Sequence, residues 1–112
     1  LTPDEREIWV CDAANSRLHL FDNTKMPPTQ LETIELRDQP GWITFSIDGG
    51  FAYPSTGEVI DPKTRKIVAT LKDEKGNAVQ SEKMVEIQFS GKTPVKAGDT
   101  VSILPSTAGG VL

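Results

Sequence analysis

Cysteine and histidine are almost missing: Cys11 and His19 each stand alone. A single cysteine excludes an intrachain disulfide framework and any multi-cysteine zinc site, and a single histidine removes most histidine-based metal centres and triads. Long apolar runs are missing too. The longest cover only a few residues, against the roughly 20 that a membrane helix needs, so no membrane span is expected. Nor is there a basic excess. Lys and Arg number 12 against 16 Asp and Glu, a formal charge of −4, which leaves nothing over for phosphates and argues against a nucleic-acid module. No Gly-rich phosphate-binding pattern occurs.

What is present is dense punctuation. Nine Gly and eight Pro separate short stretches of Ile, Val, Thr, Trp, Phe and Tyr, which is the pattern of strands and turns and leaves little room for long helices. A chain of 112 residues allows one core at most. Its opening, Leu1-Thr2-Pro3-Asp4, reads as the middle of a sequence, so the chain is expected to be a piece of a longer parent.

Glu7 to Asp12 alternates so that Ile8 and Val10 share one face and Trp9 and Cys11 the other, predicting a strand covered on both faces. A turn at Ala13-Ala14-Asn15-Ser16, with Asn15 suited to left-handed dihedrals, leads to a second strand, Arg17 to Asp22, with Leu18 and Leu20 together. Asn23 to Thr29, containing Met26-Pro27-Pro28, reads as a stiff loop. Further strands are expected at Leu31–Leu36, Trp42–Ser46, Phe51–Tyr53 and Glu58–Asp61. Lys63 to Lys75 admits a short helix or a strand, and the β-branched Ile67, Val68 and Thr70 favour the strand. Met84–Phe89 and Thr100–Leu104 read as strands with a loop from Ser90 to Gly98 between them. The whole reads as an all-β antiparallel meander.

The chain also repeats itself. Leu1-Thr2-Pro3-Asp4 aligns with Phe45-Ser46-Ile47-Asp48, and 44 residues also separate Ile8-Trp9 from Ala52-Tyr53, while Asp22 matches Asp61 at the shorter offset of 39. A period in the low forties with several strands per unit is that of β-propeller blades. Gly41 to Leu71, with Phe45-Ser46-Ile47-Asp48-Gly49, Phe51-Ala52-Tyr53, Val59-Ile60-Asp61 and Lys66-Ile67-Val68-Ala69-Thr70-Leu71, resembles a blade of the YVTN-type propeller repeats. There, a Ser-Pro-Asp-Gly turn precedes an aromatic strand and a Val-Ile-Asp strand precedes a Thr-Gly-Lys loop. Two positions depart from that pattern: Ile47 stands where Pro is usual, and Arg65 where Gly is usual.

This resemblance divides the chain into a partial blade at 1–36 lacking its innermost strand, a blade at 37–75, and C-terminal strands with a Gly-rich tail at 76–112. About two to two and a half propeller-like blades result. Such units cannot bury both faces alone, so three outcomes are expected as alternatives: the missing blades belong to the parent, identical chains complete a ring, or the chain packs differently from its relatives. The resemblance implies a scaffold or binding module whose protein or small-molecule ligand meets the blade loops. It names no reaction, no cofactor and no metal.

The tail offers a second resemblance. Ala97 to Gly110, with Gly98-Asp99, the strand Thr100–Leu104, Pro105 and Gly109-Gly110, is similar to the end of ubiquitin-like sulfur carriers. That likeness implies activation at Gly110 once Val111-Leu112 are removed, since a chain without Cβ atoms threads the activating enzyme's channel with least obstruction. The propeller likeness leans toward a periplasmic or secreted protein, the carrier likeness toward the cytoplasm.

Single residues carry little chemistry. Asp12, Asp22, Asp48 and Asp61 end or follow strands and are expected to cap turns. His19 is expected to pack or face solvent, and Cys11 to be a small buried hydrophobe. Trp9, Trp42 and Tyr53 read as core, with Trp9 and Trp42 the candidates for stacking on a ligand. No catalytic residue is expected.

Overall fold

The computed structural model describes residues 1–80, 85–97 and, for the backbone alone, 101–102. The carrier-like Gly109-Gly110 tail lies outside them, as does most of the expected strand Thr100–Leu104. The described residues form antiparallel sheets with a single short 3-10 turn.

The first sheet holds β1 (Glu7–Asp12), β2 (Arg17–Asp22) and β3 (Thr29–Glu35), in that order. Its register sets Trp9 opposite Leu20, and Cys11 and Ile34 opposite Leu18. Directly opposed residues share a face, so Trp9, Leu18, Leu20 and Ile34 make one continuous apolar surface. All four are buried. The other face is open, with Val10 42% exposed, which corrects the expectation of a strand covered on both sides. The β1–β2 connection is a 3-10 turn, Ala13–Asn15, capped by the Asp12 carboxylate. Ser16, not Asn15, takes the left-handed conformation, at φ 55°.

The second sheet runs β4 (Ile43–Phe45), β5 (Ala52–Pro54), β6 (Glu58–Asp61) and β7 (Lys66–Thr70). Phe45 pairs with Ala52 and Ala52 with Ile60, so these three form a buried row across the sheet. That row meets the apolar surface of the first sheet. Trp9 and Phe45 lie edge to face, ring centroids 5.2 Å apart at 81°, a geometry that adds specific attraction to the area buried. Lys66–Thr70 is a strand, as its β-branched content predicts.

The third sheet, β8 (Ile87–Ser90), β9 (Thr93–Ala97) and β10 (Val101–Ser102), corrects the expected loop at Ser90–Gly98. Ser90 pairs with Thr93 across a tight turn, with Gly91 at φ 62°. Pro94, which has no N–H to donate, sits where the register shifts beside its partner Phe89. Between the second and third sheets, Val79 donates to Leu71 O and Arg37 Nη2 donates to Val79 O at 2.9 Å. Gly57, at φ 95°, lies under the Val79 carbonyl, where a Cβ would collide with backbone.

The sequence repeat reappears as hydrogen bonds. In the first unit Thr2 N donates to Glu7 O, Glu7 N to Thr2 Oγ1 and Thr2 Oγ1 to Asp4 Oδ1. In the second, Ser46 N donates to Phe51 O, Phe51 N to Ser46 Oγ and Ser46 Oγ to Asp48 Oδ1. Asp4 also accepts from Arg6 N and Asp48 from Gly50 N. The left-handed residue falls at the same place in each, Glu5 at φ 61° and Gly49 at φ 72°. Further along, Leu36 N donates to Ser16 O and Leu71 N to Gly57 O, both acceptors being left-handed turn residues.

The departures from the family-like pattern have visible consequences. Ile47 N donates to Glu86 Oε2 at 2.6 Å, a bond that Pro could not make. The aligned residue of the first unit is Pro3. Arg65 adopts φ 59°, the conformation for which Gly is the usual residue.

Candidate functional site

One end of the two stacked sheets holds a cleft of about 440 Å³. Three segments build it: Thr2, Pro3, Asp4 and Glu7 from the first turn, Phe45, Asp48 and Gly49 from its repeat, and Pro62, Lys63 and Arg65 from the β6–β7 hairpin. The duplicated turn therefore contributes twice to one wall. Phe45 supplies an apolar floor between charged sides.

The carboxylates of the cleft are held in place by their own turns. The Thr2 hydroxyl and the Arg6 amide keep Asp4 below the usual carboxylate range, and the Ser46 hydroxyl and the Gly50 amide do the same for Asp48. Both stay ionised at neutral pH with lone pairs already engaged. Arg65 crosses from the second sheet to the first, its Nη2 3.0 Å from Glu7 Oε1 and its Nη1 3.6 Å from Glu32 Oε2. Its Nε is enclosed without an acceptor among the described residues. The cleft thus presents charges of both signs. Among the described residues no three His, Cys, Asp or Glu stand close enough to hold a metal ion.

A second polar group lies on the open face of the first sheet. Asp12 Oδ2 is 2.8 Å from His19 Nε2, His19 Nδ1 is 3.0 Å from Thr33 Oγ1, and Gln30 Nε2 donates to Thr33 Oγ1 at 3.0 Å. Asp12 also accepts from the Asn15 side chain and backbone, and these bonds with His19 lower its pKa. Asp, His and a hydroxyl in series are the parts of a proton relay. Here they sit on a sheet face away from the cleft, and what they accomplish is to tie three strands together. Sequence reading missed the group because Thr33 meets His19 only through the β2–β3 register.

The residues singled out from sequence separate. Trp9 is 5% exposed, with its ring against Phe45. Trp42 is half-buried, and neither indole N–H meets an acceptor among the described residues. Tyr53 is half-buried beside Phe51, and burial, with Glu86 and Asp48 nearby, raises its phenol pKa. Burial likewise pushes the Cys11 thiol up, away from the thiolate a nucleophile requires. Asp22 caps Thr24 N and Asp61 caps Lys63 N, as turn residues do. No described helix is long and apolar enough to cross a membrane.

No family model, curated protein or solved structure matches this chain.

Proposed function

We propose that the chain is a propeller-type repeat module, a scaffold that binds a ligand through its blade loops and carries no catalytic groups of its own. The observation that carries this reading is the way the two repeated units stack. Trp9 and Tyr53 hold the same place in their units, as do Ile8 and Ala52. Yet it is the Trp9 face of the first sheet that packs on the Ala52 face of the second. Unlike faces meet, so the pair is not related by a two-fold axis, which supports a head-to-tail repeat.

Such stacking leaves one unlike face at each end. The first sheet offers Ile8 and Val10, and the second offers Tyr53 with Phe51, which is 44% exposed. Each is the counterpart of a face already buried in the centre. Further units, from the parent protein or from identical chains, would cover both. Ligand contact is assigned to the cleft of Asp4, Asp48, Lys63 and Arg65, where loops of successive units converge.

Light scattering tests the assembly. Several copies of the 12.2 kDa chain in one stable assembly would show that identical chains supply the further units, and a cooperatively folded monomer would overturn ring completion. Lys63→Ala and Asp4→Ala should leave that mass unchanged while removing whatever ligand is retained at the cleft.

A further inference from the structure

We propose that the third sheet is a third copy of the repeated unit, able to seat on the open face of the second sheet with Phe89 against Tyr53, and that the Glu86–Ile47 bond holds it in the undocked arrangement.

The repeat runs past the two stacked units. At the same interval of 44 residues, Leu1 and Phe45 lead to Phe89, Thr2 and Ser46 to Ser90, and Ile43 to Ile87. β8 therefore stands where β4 stands in its unit, and each pairs with the next strand in an antiparallel hairpin. Ile87 and Phe89 are alternate residues and share a face with Ala97, which lies opposite Ile87. Ile43 and Phe45 share the corresponding face with Ala52, and there it is buried on Trp9. In the third sheet it is uncovered, with Phe89 55% exposed. The residue matching Trp9 in the second unit is Tyr53, on the open face of the second sheet. The contact that reproduces Trp9–Phe45 one unit further on is thus Tyr53–Phe89.

The connection has the length to allow it. Leu36 N donates to Ser16 O and Leu71 N to Gly57 O, so the two leucines hold equivalent places. Ile43 lies seven residues beyond Leu36. After Leu71 the chain makes an added hairpin, closed by the Lys72–Ala78 bridge and by Asp73 N to Asn77 O, and Val79 N returns to Leu71 O at 3.0 Å. Ile87 lies eight residues beyond Val79. Once the hairpin has doubled back, the remaining chain reaches as far as the connector that already joins two stacked units.

Orientation is what keeps the rings apart. Stacked units carry their first turns at the same end, where Asp4 and Asp48 line one cleft. Glu86 matches Trp42, which lies at the far end of β4 from its turn. Yet Glu86 Oε2 accepts from Ile47 N, inside that turn, at 2.6 Å. The third sheet is therefore held end for end relative to a stacked unit, and seating requires this bond to break. The inference rests on the unlike-face stacking that carries the module reading, and it identifies one of the further units within the chain itself.

Two variants of the full 112-residue chain release the bond. Glu86→Ala removes the acceptor, and Ile47→Pro removes the donor at a place where the first unit already carries Pro3. NOE spectra of both are expected to show Tyr53–Phe89 ring contacts, unchanged on dilution, beside the Trp9–Phe45 contacts that report an intact stack. Tyr53 is the sole tyrosine, so its acetylation by N-acetylimidazole gives a second readout. Adding Phe89→Ala to Glu86→Ala should speed that reaction several-fold. The proposal is overturned if the Tyr53–Phe89 contacts are missing from both variants, if they fade on dilution, or if acetylation is indifferent to Phe89. An assembly of several chains without the Tyr53–Phe89 contact would end this proposal and leave the module reading in place.

Discussion

Arg65 reaches from a left-handed turn of the second sheet to Glu7 on the first strand of the other, Nη2 to Oε1 at 3.0 Å. One residue thus joins backbone strain to an inter-sheet ion pair. The left-handed conformation costs a side-chain-bearing residue about 1–2 kcal/mol, and the part-buried pair, with side chains 30% and 18% exposed, returns a similar amount, about 1–2 kcal/mol.

Arg65→Gly should therefore be close to neutral in urea unfolding, losing the pair but relieving the strain. Arg65→Ala loses the pair and keeps the strain, and should be less stable than the glycine variant by about 1 kcal/mol. Equal stabilities for the two would show that the turn is not strained.

The contact of Trp9 with Phe45 predicts a contrast between core and periphery. Phe45→Ala removes the buried ring from both sheets and should cost about 3–5 kcal/mol. Trp42 is only half-buried, so Trp42→Ala should cost less, about 1–2 kcal/mol. Chemical denaturation ranks the two, and a larger loss for Trp42 would relocate the core.

The duplicated turn makes a paired prediction. Thr2→Ala and Ser46→Ala each delete one hydroxyl that serves both an aspartate and a backbone amide, and each should cost about 1–2 kcal/mol. Stability curves should show similar losses at the two sites. A loss at one alone would mean that only one of the turns is formed in solution.

Acid should unfold the chain by titrating its turns. Asp4, Asp12, Asp22, Asp48 and Asp73 are all lowered from 3.8, each mainly by hydrogen bonds within its own turn. A carboxylate with a depressed folded pKa stabilises above its unfolded value and loses that contribution as pH falls through the folded one. Stability should be flat near neutrality and decline below about pH 4. A urea midpoint that holds steady from pH 5 to pH 2 would contradict this.

Much of the fold is legible because each strand is bounded by residues with a local reason to turn. Asp12, Asp22, Asp48 and Asp61 cap turns, and Leu18 with Leu20 marks the buried face directly. The β9 strand was hidden because Gly91, Lys92, Pro94 and Lys96 all carry loop character, and only pairing with β8 overrides it. The candidate site was less visible. Its cleft joins segments around Asp4, Asp48 and Arg65 that are far apart in sequence, and the Asp12–His19–Thr33 series depends on register. Arg65 could be noticed only as a residue out of pattern. Its reach to Glu7 required the stacking of two sheets.

Because the two repeated units meet through unlike faces, the proposed addition of further units would not be limited to a pair. In such an assembly the angle at each contact would set the number of members. A slight change in tilt at the Trp9 and Phe45 contact, multiplied around a circle, would add or drop a member, or turn a closed object into an open spiral. The side chains that seem merely to fill space there would then govern stoichiometry.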